Sequence, residues 1–175
     1  MKNLFLIVFL FSGIHMNVTA QNSKKEAKEL KKEEQYQELL KLIDTQQYAF
    51  QGSKANPQKG RQIDLTTRSN FLRIDKDNAT ADMPYFGRAY SGGYSTSDGG
   101  IKFDGHMESY DVSRNDKKRR VTIKFKVKGT DDTYNCTLTV SGFNSTSLSV
   151  ISNKRQSISY TGAISALDEE KSKKK

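Results

Sequence analysis

"VTIKFKVK", Val121–Lys128, decides the fold. Val121, Ile123, Phe125 and Val127 alternate without a break with Thr122, Lys124, Lys126 and Lys128, and a period of two places one set on a core and the other in water. A helix would scatter these residues around its axis, so the stretch reads as a strand. "YNCTLTV" repeats the pattern with Tyr134, Cys136, Leu138 and Val140 inward. "SLSVI" and "SISYTGAI" follow with Leu148 and Val150, then Ile158, Tyr160 and Ile164. Upstream, "QYAF", "RQIDL", "NFLRI", "IKFDG" and "SYDV" are shorter runs of the same kind. Between the runs, "NPQKG", "DKDN", "SDGG", "RNDKK", "GTDD" and "SNKRQ" supply the Asn, Asp and Gly that tight reversals need.

These features predict a mainly all-β domain over residues 47–165, with about nine or ten strands at hairpin spacing and no helix suited to parallel crossovers. An antiparallel barrel and a two-sheet sandwich both satisfy the pattern, and periodicity does not choose between them. One N-terminal helix precedes the domain: in "SKKEAKELKKEEQYQELLKLIDTQQ", Ala27, Leu30, Tyr36, Leu39, Leu40 and Ile43 recur at three- and four-residue spacing. Residues 34–46 are expected to dock. The preceding part of the 21–46 segment is too charged to bury and reads as a linker-like helix. The last ten residues, 166–175, end in a basic, apolar-poor run expected to be disordered.

The first twenty residues read as a secretory signal: Lys2, the apolar run "LFLIVFLFSGI", and Val18 and Ala20 ahead of Gln21. Ser12, Gly13, His15 and Asn17 interrupt the run too early for a spanning helix. The expectation is a periplasmic or secreted chain starting at Gln21, and not a lipoprotein, since the sole cysteine, Cys136, lies far from the cleavage point. Removing Lys2 from 29 basic residues leaves 28 against 20 acidic ones. One thiol allows no internal disulfide, so stability must come from the core.

The same inventory limits the chemistry. The mature chain keeps a single histidine, His106, and the one cysteine on an inward strand position, too few ligands for a zinc site. "DKDNATAD" starts like a calcium loop, but Ala79 and Thr80 stand where a ligand and a glycine are required. No glycine-rich phosphate loop and no nucleophile motif occurs; Asp104, Glu108 and Asp111 read as solvent-facing strand charges. No cofactor and no enzymatic activity are expected.

Two stretches remain as candidate sites. "MPYFGRAYSGGYSTSDGGIKFDG", Met83–Gly105, gathers Tyr85, Phe86, Tyr90, Tyr94 and Phe103 around Arg88. It reads either as a core corner, with Arg88 stacked or in a buried pair, or as a concave ligand site at Tyr85, Phe86, Arg88 and Tyr90 with the arginine as anion hook. Gly87 permits a bulge or a close approach. The second stretch is basic: Lys117, Lys118, Arg119 and Arg120 lead into Lys124 and Lys126 on the outer strand face. Such a strip suits weak contact with an anionic membrane surface, and also suits a sheet guarding its edge. Export argues against nucleic acid as partner.

"PYFGRAY", "GGIKFDG", "ANPQKGRQIDL", "DNATADMPYFGRAY" and "SNKRQSISYTGAI" together resemble the exported Bacteroidota family known as domain of unknown function 4251, from about Tyr48 to Ile164. The resemblance implies an exported β-rich domain and brings no catalytic residue. It places emphasis on Pro84, Tyr85, Phe86, Gly87, Arg88 and Tyr90. The functional expectation is a non-catalytic binding module, a monomer or weak dimer, that takes a small ligand or envelope component; the alternative is a structural or assembly accessory of the envelope acting through its helix or basic strip.

Overall fold

The computed structural model describes residues 17–90, 99–129 and 132–167, with side chains from Lys24 onward. Residues 1–16, over which most of the expected signal falls, Gly92, Gly93, Tyr94 and residues 168–175 lie outside the described residues. Two compact units divide the chain between Tyr36 and Gln37. In the first, helix α1 (Asn17–Asp44) carries Leu30 66% exposed and an ion pair at 2.6 Å between Glu29 and Lys32.

The second unit holds the end of α1 and nine strands: β1 (Gln47–Pro57), β2 (Ile63–Asp64), β3 (Phe71–Asp75), β4 (Asn78–Met83), β5 (Ile101–Asn115), β6 (Arg120–Lys128), β7 (Thr133–Val140), β8 (Thr146–Ser152) and β9 (Ile158–Ala166). Every pairing is antiparallel. β3 to β9 follow one another as a meander, β1 pairs with β3 on one side, and β1 also pairs with β9 from Tyr48↔Ala166 to Pro57↔Ile158. That last pairing closes an eight-stranded barrel and decides against the sandwich, with β2 as an extra strand on the far half of β1.

An eight-stranded barrel has an interior just wide enough for side chains to fill. Tyr48, Phe50, Leu72, Ile74, Met83, Ile123, Leu138, Leu148 and Tyr160 are all less than 2% exposed. The inward sets expected for β6 to β9 are all buried, Cys136 included. β1 bulges between Gly52 and Lys54, and a Cβ on Gly162 would lie 2.0 Å from the Gln51 carbonyl oxygen. The close crossing of β1 and β9 therefore requires glycine there. At Phe50 β1 leaves β3, and at Lys54 it takes up β2. Buried Asn70 bridges the fork: Gly52 N–H donates to its Oδ1 at 2.7 Å, and its amide donates to the carbonyls of Gly52 and Arg68 at 3.0 Å each.

Strand direction sorts the loops by barrel end. One end gathers the α1–β1 link, the β3–β4 turn, the β5–β6 hairpin and the β7–β8 loop. Leu39 and Ile43 of α1 are buried, Asp44 pairs with Arg114, and the Tyr48 and Tyr110 hydroxyls lie 3.0 Å apart. The other end gathers the β1–β2 and β2–β3 loops, the β4–β5 loop, the β6–β7 loop and the β8–β9 loop. The two candidate stretches thus occupy opposite ends.

Candidate functional site at the aromatic end

β4 stops at Met83 because Pro84 has no N–H to continue the ladder. The Tyr160 hydroxyl, rising from the core, donates to the Pro84 carbonyl at 2.8 Å and fixes where the chain turns. Tyr85 then folds back over Gly87: a Cβ at Gly87 would lie 2.2 Å from the Tyr85 hydroxyl oxygen. Any side chain at this position would displace the Tyr85 ring from where it lies. The hydroxyl sits 2.9 Å from the Arg88 carbonyl and 3.0 Å from the Gln156 carbonyl and donates to this pair. Burial raises its pKa, outweighing the opposite pull of Arg155 and of the bond to Gln156.

Around that clasp the segment lies along the β8–β9 loop as a short ladder. Gln156 N–H donates to Arg88 O at 3.0 Å, Tyr90 N–H donates to Lys154 O at 2.7 Å, and Ala89 bridges Arg155. Arg155 reaches the far end of the β4–β5 loop, where one guanidinium nitrogen donates to the carbonyls of Gly99 and Gly100 at 2.8 and 2.9 Å. Its guanidinium carbon is 5.4 Å from the centroid of the Tyr85 ring. A structural arginine exists at this end, and it is Arg155.

The expected buried pair at Arg88 is not realised. Arg88 is exposed, and among the described residues its side chain has no hydrogen bond or ion pair; the backbone does the holding. The rings divide as well. Tyr85 is the clasp, Phe103 is a core residue with its ring 5.4 Å from that of Tyr134, and Phe86 is half-buried with the Arg68 guanidinium 5.6 Å from its centroid. Tyr90 stands 65% exposed. Arg88 and Tyr90 are therefore exposed and Phe86 half-buried on a segment held through its backbone, while Tyr85 turns into the scaffold. Arg155 escaped sequence reading because "SNKRQ" shows only a turn, and its carbonyl partners lie 55 and 56 residues away.

At the opposite end the β5–β6 hairpin turns through a short 3-10 segment, Asp116–Lys118, capped by Asn115 Oδ1 accepting from Lys118 N–H at 3.1 Å. Arg119 takes a left-handed φ of 47° to re-enter β6. Lys117, Lys118, Arg120 and Lys124 are exposed, as expected. The strip is less free than its composition suggests. Lys126 pairs with Glu108 at 2.5 Å, Arg120 donates to Ser141 Oγ at 3.3 Å, and Asp111 stands beside Lys124 in register. Of the carboxylates weighed for chemistry, Asp104 accepts from the Thr80 hydroxyl at 2.9 Å and Glu108 is held by Lys126. Among the described residues no group of three or more His, Cys, Asp or Glu could hold a metal ion.

The fold and its ends define a closed, side-chain-filled, antiparallel β-barrel with a tyrosine clasp at one mouth and a helix at the other. The chain belongs to the family described as Domain of unknown function (DUF4251), which it matches over residues 30–164. Its fold is similar to the crystal structure of a DUF4251 family protein from Bacteroides eggerthii DSM 20697, at 17% identity and a TM-score of 0.57, covering 75% of this chain and 87% of that one. Among curated proteins none matches.

Proposed function

We propose that this chain is an exported, non-catalytic binding domain that engages an anionic envelope component through Phe86, Arg88 and Tyr90. One observation carries the reading: the Tyr85 clasp commits a part-buried hydroxyl and a glycine to fix a segment whose next side chains, an unpaired guanidinium and an exposed ring, point to solvent. Arg88 offers a planar donor fork for a phosphate or carboxylate, and a neighbouring aromatic face suits a sugar or an acyl edge. The filled interior turns the search for a ligand to the outer surface. Export rests on the N-terminal signal pattern; intact mass of material recovered from outside the cytoplasm should correspond to a chain beginning at Gln21.

The binding test is a ¹⁵N titration of the mature chain with purified lipopolysaccharide and, separately, with neutral dextran. Lipopolysaccharide should shift the amides of Phe86 to Tyr90, dextran should not, and an Arg88→Ala/Tyr90→Ala variant should lose the response without melting earlier. An identical response of the variant would refute the assignment. A second reading, an envelope accessory that docks through the basic hairpin, is favoured by the exposed Lys117 and Lys118 at its tip. In that case lipopolysaccharide would shift residues 116–120 instead.

A further inference from the structure

The outer wall of the barrel carries a groove of about 280 Å³ where β1 changes partner. Its floor is small because Ala49 stands opposite Arg73 on β3 and opposite Ser165 on β9. Phe71 and Arg73 form one wall, Ser165 the other, and Ser69 with Gln51 closes the end at the fork. The fork itself cannot be filled by a strand, since Asn70 already takes the backbone groups of Gly52.

Asn70 at the fork is committed, but the other polar side chains lining this hollow are unspent. Among the described residues the side chains of Gln51, Ser69, Arg73 and Ser165 make no hydrogen bond or ion pair. The Arg73 guanidinium is half-buried and held 4.4 Å from the centroid of the Phe71 ring, so it is oriented before any ligand arrives. The acids on the adjoining wall are engaged elsewhere: Asp75 accepts from the Gln47 amide at 3.0 Å, and Asp82 lies 3.6 Å from Lys102. A preoriented arginine without a carboxylate partner calls for an anion with two oxygens. The amide and two hydroxyls beside it can each donate and accept, which matches a ligand rich in hydroxyl groups. The volume lies at the small end of ligand sites, about that of one sugar ring.

We infer that this groove binds a monosaccharide-sized sugar acid, with Arg73 on the carboxylate and Gln51, Ser69 and Ser165 on the ring hydroxyls. The site is built from residues other than Phe86, Arg88 and Tyr90.

The test titrates the ¹⁵N-labelled mature chain with D-glucuronate, D-glucose and acetate, following the amides of residues 49–52 and 71–73 and the Gln51 side chain. Glucuronate should give saturable shifts there, with glucose and acetate each at least about tenfold weaker, since a charge-assisted pair and a set of neutral bonds each contribute about that much. Arg73→Met removes the guanidinium while keeping an unbranched side chain and should weaken glucuronate about tenfold or more, and Ala49→Leu should fill the floor and abolish the shifts. Shifts absent or located elsewhere, glucose or acetate equalling glucuronate, or undiminished binding by the folded variants would each overturn the assignment. The three-ligand comparison on the unaltered chain decides the matter even where a variant fails to fold.

Discussion

Two glycines of this barrel face opposite fates on gaining a methyl group. A Cβ at Gly162 would lie 2.0 Å from the Gln51 carbonyl oxygen and 2.8 Å from its carbon, both backbone atoms that cannot swing aside. At Gly105 the nearest atom is the Lys128 carbonyl oxygen at 3.7 Å, an ordinary contact. Gly162→Ala should therefore cost about 3 kcal/mol or more by prising β1 from β9. Gly105→Ala should change stability little, or raise it by restricting the unfolded chain. Urea melts of the two variants provide the measurement, and equal midpoints would show that the β1–β9 crossing is not as tight as described. Sequence alone marks both positions only as glycine in a strand.

Among the elements, the fork in β1 depends on a single amide. Asn70 supplies one acceptor and two donors that replace the missing ladder between Gly52 and β3, and it is 3% exposed. Asn70→Ala strands the N–H and C=O of Gly52 away from water, at about 1–3 kcal/mol for each unmet group. Its Tm should fall accordingly, and the Gly52 amide should lose protection against hydrogen exchange. Retained protection would mean that water or the loop takes over the role. Strand periodicity in the sequence marks β3, β6 to β9 and the first four residues of β1, where large inward residues alternate; the second half of β1 has small inward residues, Gly52 and Ala55, and its Asn56 and Pro57 read as part of a turn. β4 went unseen. Its inward positions are Ala79, Ala81 and Met83, and two small side chains give no strong alternation. The runs "IKFDG" and "SYDV" proved to be one strand, β5, with a register shift between Met107 and Ser109 that breaks the period of two. The open approach at Gly87 is legible from backbone chemistry. The division of labour between Tyr85 and Arg88 was not, since it depends on Gln156 and Arg155, far along the chain.

At the scale of the whole molecule, barrel closure joins β1 to β9 over more than a hundred residues, a pairing that no local pattern reveals. Closure also seals acids that must stay protonated. Burial raises the pKa of Tyr48, Tyr160 and Cys136, with neighbouring phenols adding to the effect at Tyr48 and Tyr160. Below the unfolded-state values, about 8.5 for the thiol and about 10 for the phenols, these groups are protonated in both states and leave stability independent of pH. Above them the unfolded chain ionises while the folded one does not, so stability falls by about 1.4 kcal/mol per pH unit for each group. Denaturation midpoints should begin to decline above about pH 8.5 and steepen above about pH 10. Tyr48→Phe should show a shallower alkaline slope; an unchanged slope would place that phenol in water.

The central claim is that the "PYFGRAY" segment divides into a clasp that holds the barrel mouth and side chains that are displayed from it. Thermal melting of Tyr85→Phe beside Arg88→Ala tests it most directly. Tyr85→Phe loses the hydroxyl shared by the Arg88 and Gln156 carbonyls and should melt a few degrees lower, for a loss of about 1–2 kcal/mol. Arg88→Ala removes an exposed side chain and should melt within about 0.5 kcal/mol of the unaltered protein. A destabilised Arg88→Ala with an unaffected Tyr85→Phe would contradict the account.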